Sequence, residues 1–173
     1  NWGGDIIIEN NADDKDIILK SDDGSGGVTA YITLDGSSGY SKAHKHILYE
    51  DDVKAMFGTG GDMQILHDGS NSYISHNVTG HLYIQNNTTD ADIVLQSDDG
   101  SGGTTAYITL DGGLGYTTVQ KNIRFNDSVR ADFGTGSDFR IEHDGDHAYL
   151  ANLTGDFYFE QKADDKDIIF TCD

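Results

Sequence analysis

The chain has 173 residues and a formal net charge of −19, from 30 acidic side chains against 11 Lys and Arg. That excess repels phosphate backbones and anionic lipid, which disfavours nucleic-acid and membrane-surface roles, and it attracts divalent cations. With 36% hydrophobic residues, Gly 22, Pro 0 and Cys 1, the chain is sized for one ordinary domain or two small ones, held by packing or oligomerisation rather than by an internal disulfide.

Residues 1–3 lead into a unit that repeats with a period of about 75 residues. The first copy, residues 4–79, opens Gly4-Asp-Ile-Ile-Ile-Glu-Asn-Asn-Ala-Asp-Asp-Lys-Asp-Ile-Ile-Leu19, two short apolar strands around a polar turn. Ile6-Ile7-Ile8 is its longest apolar run, far short of a membrane span. The loop Ser21-Asp22-Asp23-Gly24-Ser25-Gly26-Gly27 follows. Beyond it Val28, Ala30, Ile32 and Leu34 alternate with Thr29, Tyr31 and Thr33, which predicts a strand with the first set on one face. Asp35-Gly36 marks a tight turn, read here as Gly taking positive φ. The only candidate helix, residues 49–56, is better explained by alternation of Val53, Ala55 and Phe57. Met63, Ile65 and His67 then alternate up to the turn Asp68-Gly69.

Residues 80–154 repeat this order. The same loop returns as Ser97-Asp98-Asp99-Gly100-Ser101-Gly102-Gly103, and Asp111-Gly112 and Asp144-Gly145 match the earlier turns. A third copy starts at Gly155 and occupies residues 155–173; Cys172 falls where the other copies have Ser21 and Ser97, so it reads as a plain replacement. Ending inside a repeat, the chain reads as a piece of a longer protein. The expected fold is all-β: tandem repeats of short strands and hairpins, with little core per copy and a need for neighbours or partner chains.

Phe57-Gly-Thr-Gly-Gly-Asp-Met-Gln-Ile-Leu-His-Asp-Gly-Ser-Asn-Ser-Tyr-Ile74 and its counterpart from Phe133 to Leu150, with the Asn-Asn-Ala-Asp-Asp-Lys-Asp-Ile-Ile-Leu block, resemble repeats of tail-fibre and other structural proteins of marine bacteriophages. The resemblance covers nearly the whole chain. It implies an elongated homotrimeric fibre segment of a virion, extracellular, bound to other virion proteins and reaching a host-surface glycan or protein.

Candidate sites are few. Asp22 and Asp23, with Asp98 and Asp99, offer oxygen ligands for Ca²⁺, but their spacing falls short of a calcium loop and no Glu follows, which favours a solvated hairpin. Asp13-Asp14, Asp51-Asp52 and Asp164-Asp165 read the same way. On a strand, His44 and His46 project to one side. In a trimer they would bring six imidazoles to an iron or zinc on the axis, an arrangement the resemblance also implies; the second copy has Gln120-Lys121-Asn122 instead. His67 and His143, each before Asp-Gly, fit a strand-closing role. The repeated tyrosines Tyr31, Tyr40 and Tyr73, with their counterparts Tyr107, Tyr116 and Tyr149, suit cross-strand packing better than sugar stacking. Gly58-Thr59-Gly60 and Gly134-Thr135-Gly136 begin like a dinucleotide fingerprint but lack its last Gly and its helix. No catalytic motif appears and no cofactor is required, so the chain is not expected to be an enzyme. The expected function is a shaft or spacer supporting host attachment. Its rivals are a Ca²⁺-dependent bacterial adhesive or matrix module and, third, a tailspike polysaccharide hydrolase.

Overall fold

The computed structural model describes residues 3–172, and among them the chain is all-β, without a helix. It divides into two units, Asn1–Tyr83 and Ile84–Asp173. In the first unit β1 (Ile17–Asp22), β2 (Val28–Leu34) and β3 (Ser41–Ala43) form one antiparallel three-stranded sheet, and β4 (Ala55–Phe57), β5 (Met63–His67) and β6 (Ser72–His76) form another. The second unit repeats both, with β7 (Ile93–Asp98), β8 (Thr104–Asp111) and β9 (Tyr116–Val119), then β10 (Ala131–Phe133), β11 (Phe139–His143) and β12 (Ala148–Asn152). Each sheet is a meander whose strands follow one another in chain order, so β-branched and aromatic alternation plus short polar turns suffice to build it.

The register corrects one expectation about faces. Leu19 lies opposite Ile32, but Lys20 lies opposite Ala30, so Tyr31 is an extra residue in β2. The β7–β8 pair does the same, with Leu95 opposite Ile108, Gln96 opposite Ala106, and Tyr107 extra. A bulge of one residue shifts the two-residue periodicity by one step. Val28 and Ala30 therefore share a face with Thr33, while the apolar face is built from Ile17, Leu19, Ile32, Leu34 and Ala43. In the β4–β6 sheet Ala55, Ile65 and Ile74 lie in one cross-strand row, and Phe57, Met63 and His76 in the next. Ala131, Ile141 and Leu150, then Phe133, Phe139 and Asn152, repeat those rows.

These apolar faces stay uncovered. No hydrophobic side chain is buried among the described residues, and the most buried polar ones are Thr33 and Thr109. Leu19 is 51% exposed, Leu34 47%, Phe57 53% and Phe133 51%. In the second unit a run of rings, Phe133–Phe139 (5.6 Å between centroids), Phe139–Phe157 (5.5 Å), Phe157–Phe159 (4.6 Å) and Phe159–Phe170 (6.0 Å), lays the start of the third repeat on the β10–β12 sheet. It does so without burying the rings.

The accessible surface measures the deficit. The chain exposes 14,821 Å². A compact monomer of its 18.8 kDa exposes roughly 8,300 Å², and two separate compact domains of half that mass roughly 10,000 Å². Between about 4,800 and 6,500 Å² is thus surface that an ordinary fold of this mass hides.

Two glycine positions show how the turns are made. Gly36 is not in the positive-φ region; a Cβ there would stand 2.3 Å from the Lys15 carbonyl oxygen. Close backbone approach selects it, not the turn conformation expected above. Gly61, by contrast, has φ +67°, and its counterpart Ser137 is forced to φ +54°. A left-handed conformation costs an L-residue about 1–2 kcal/mol. Ser137→Gly should therefore raise the thermal midpoint by about 1 kcal/mol of stability in a calorimetric comparison, whereas Gly61→Ser adds to the backbone cost a Cβ 2.0 Å from Met56 Cε and should lower it by more; effects of the opposite sign would refute this account of the turn.

Candidate functional site: acidic loops and histidines

The two acidic loops are the same structure. At the first, Asp22 Oδ1 accepts from Gly24 N (2.7 Å), and Asp23 Oδ1 accepts from Ser25 N (2.8 Å), Ser25 Oγ (2.7 Å) and Gly27 N (3.1 Å). At the second, Asp98 Oδ1 accepts from Gly100 N (2.7 Å), and Asp99 Oδ1 from Ser101 N (2.8 Å), Ser101 Oγ (2.6 Å) and Gly103 N (3.1 Å). Asp23 N and Asp99 N close the loops on Gly27 O and Gly103 O, each at 3.0 Å. A carboxylate bonding its own backbone two and four residues on is the asx-turn chemistry that makes Asp a turn residue. The Ser25 hydroxyl, then the Ser25 and Gly27 amides, hold the Asp23 carboxyl below the ordinary aspartate range; Ser101 and Gly103 do the same for Asp99. The loops thus have a complete local explanation as hairpin tips. No group of three or more His, Cys, Asp or Glu is gathered as for a metal ion among the described residues.

The other Asp-Gly turns carry a second device. Asp68 Oδ1 accepts from Ser70 N (2.9 Å) and Asn71 N (2.7 Å), while its Oδ2 accepts from the Tyr73 hydroxyl (2.9 Å). Asp144 repeats this with Asp146 N (2.9 Å), His147 N (2.7 Å) and the Tyr149 hydroxyl (2.9 Å). Donating to Asp144 raises the Tyr149 phenol above its ordinary value. At the bulges, the Tyr31 hydroxyl donates to Asp22 O (2.8 Å) and the Tyr107 hydroxyl to Asp98 O (3.2 Å). These four tyrosines are clasps on turns where the sequence suggested packing groups; the spacing Asp-Gly-x-x-x-Tyr does not mark them by itself, since Tyr40 and Tyr116 share it with Tyr73 and Tyr149 without such a bond.

The histidines fall on strand ends. β3 stops at Ala43, so His44 and His46 lie just past the strand that was expected to aim them together. His44 N donates to Tyr31 O (2.9 Å) and its Nε2 lies 2.9 Å from Thr33 Oγ1, one of the two most buried polar side chains. Gln120 occupies the equivalent place: its N donates to Tyr107 O (3.0 Å). With the amide oriented to satisfy both ends, its oxygen accepts from Thr109 Oγ1 (2.7 Å) and its nitrogen donates to Thr118 O (3.2 Å). One geometry thus uses His in one copy and Gln in the other, as partner of a nearly buried threonine. His67 Nδ1 lies 3.1 Å from Ser72 Oγ, and His67 O accepts from Asp52 N (2.8 Å). His143 Nδ1 lies 3.0 Å from Asp127 Oδ1 and 3.1 Å from Gly145 N, and His143 O accepts from Ser128 N (2.7 Å). Both close a strand onto its neighbouring turns. Arg130 donates to Glu142 (2.7 Å) across the β10–β11 pair, and Lys42 pairs with Asp35. The concave regions are shallow, repeated surface dips; one beside Ile93 and Tyr116 matches one beside Ile17 and Tyr40.

No family model, no curated protein and no solved structure matches this chain.

Two outcomes follow from the site geometry. His44→Gln should leave the melting curve unchanged, whereas His44→Ala, which strips the Thr33 hydroxyl of its partner, should cost about 1 kcal/mol; equal effects of the two variants would sink the structural role of His44. Asp23 and Asp99 are lowered in the folded chain, so their stabilisation is fully present above the unfolded aspartate value of about 3.9 and is lost as pH falls through the lower folded midpoints. Carbon-detected NMR titration should place both midpoints below that value, and Ser25→Ala should move Asp23 back toward it.

Proposed function

We propose that this chain is a shaft or spacer segment of a viral tail fibre or related virion appendage, acting as a homotrimer that supports host attachment. The observation that carries the reading is that every sheet presents an apolar face that the chain leaves largely exposed, even where the Phe157 ring lies against Phe139 of the β10–β12 sheet. Such faces are not tolerated on a solitary soluble protein, where contiguous apolar patches rarely exceed a few hundred Å². They suit an obligate assembly.

The size of the deficit favours three chains over two. Obligate interfaces bury on the order of 2,000–5,000 Å² in total, so about half that comes from each partner. A dimer would have to hide the whole 4,800–6,500 Å² excess of each chain at one interface, roughly twice that range in total. A closed trimer gives each chain two neighbours and halves the load per interface. Duplication of the unit also supports a structural part, because one surface can be extended by repetition whereas an active site gains nothing from a second copy in series. The repeat phrases that resemble phage fibre proteins supply the virion setting, its partners and its extracellular location. The polar faces and acidic loops then form the solvated exterior, and net charge −19 per chain keeps assembled segments from sticking to one another.

Light scattering on the 173-residue chain at micromolar concentration should report three times its 18.8 kDa. A stable monomer would overturn the proposal. Leu34→Glu combined with Leu110→Glu places charge on two apolar faces and should abolish the trimer; persistence of the full trimer in that variant would show that these faces are not the interface.

A further inference from the structure

Five segments of this chain have strand sequences but no strand partner. They are residues 5–9, 46–49, 81–85, 122–125 and 156–160, all outside every turn and sheet. No backbone hydrogen bond within the chain is made by residues 6–8, 47–49, 82–84, 123–125 or 157–159. Their side chains are not those of a loop. Ile6 and Ile8 are 91% and 70% exposed, and Phe157 and Phe159 are 44% and 58% exposed. Short runs of Ile, Leu, Tyr and Phe with no Gly or Pro are the composition of a strand buried on both sides rather than of a loop.

The chain contains its own control. Asp16-Ile17-Ile18-Leu19 and Asp92-Ile93-Val94-Leu95 carry β1 and β7, each paired with the strand that follows. Letters of the same kind therefore do form a sheet in this chain where an adjacent strand offers its edge.

We infer that these segments pair through their backbones with other copies of this chain, so that the assembly is held by sheets shared between chains as well as by packing of apolar faces. The occupant is another copy for two reasons. The segments recur at equivalent places, 5–9, 81–85 and 156–160 near the start of each copy and 46–49 and 122–125 within the two full copies, so a partner must offer free strand edges at the same spacing, and this chain does: every three-stranded sheet leaves both outer strands with an open edge. The surface left uncovered is also several times what a standard association buries. Strand addition supplies both halves of what each segment lacks, main-chain hydrogen bonds along an edge and alternate side chains placed on the apolar face. The inference rests on the trimeric reading above and specifies how its chains are joined.

Hydrogen exchange on the associated 173-residue chain tests it. Amides of residues 6–8, 47–49, 82–84, 123–125 and 157–159 should exchange at least about a hundredfold slower than in unstructured peptide, as for hydrogen-bonded strands that open only rarely. Ile47→Pro with Ile123→Pro removes two such amides without touching any of the twelve strands, and should convert the assembly to smaller species; Ile47→Val with Ile123→Val should keep it whole. A trimer in which these amides exchange at coil rates, and which tolerates both prolines, would overturn shared sheets and leave the trimeric reading standing. A monomer would overturn both.

Discussion

Everything in this structure depends on one constraint: a three-stranded sheet has two faces and two edges, and this chain buries no apolar face and leaves the outer edges unpaired. A sheet of strands three to eight residues long presents one apolar side, and a stable protein hides that side against a helix layer or a second sheet. Here no helix exists among the described residues, and the four small sheets leave Leu19, Leu34, Phe57 and Phe133 about half exposed. Hydrophobic stabilisation scales with area removed from water, and this chain by itself removes little.

Within that constraint, polar chemistry organises what packing does not. The tips between β1 and β2, β2 and β3, and β5 and β6, with their repeats, are closed by an aspartate bonding nearby backbone, and several are clasped by a tyrosine hydroxyl reaching back from the adjoining strand. The bulge is the link between the two. By inserting Tyr31 or Tyr107 as an unpaired residue, it re-aims the ring toward the preceding turn and presents a carbonyl to His44 or Gln120. The same inserted residue moves Ile32 and Leu34 onto the face of Ile17 and Leu19. Turn closure and construction of the apolar face are consequences of one extra residue.

That coupling also explains what could be read from the letters. Period-two alternation and the Asp-Gly pairs were sufficient for an all-β chain, and strands do fall at Val28–Leu34, Met63–His67 and their repeats. Face assignment failed at Val28 and Ala30 because a bulge leaves no mark in hydropathy: the alternation of letters runs on through Tyr31 while the pairing slips. Gly36 looked like a positive-φ turn residue, yet contact with Lys15 is what demands it, a tertiary fact that a dipeptide cannot display. The link from His44 to Thr33 joins residues eleven apart across a strand pair whose register was unknown. Its trace was the substitution of Gln120 in the second copy, since Gln and His share the ability to hold a threonine hydroxyl.

The unpaired strand sequences carry the synthesis one step further. A segment such as Ile6-Ile7-Ile8 was expected to be the first strand of a hairpin, and within one chain it is not, although its letters are as strand-like as those of β1. Propensity describes what a segment does once an edge is offered; it does not say which chain offers it. Where local preference and the fold of the isolated chain disagree in every repeat at the same place, the disagreement belongs to the unit rather than to an accident of one loop. If other copies offer those edges, as proposed, the residues that look misplaced in the single molecule are the ones that join the assembly.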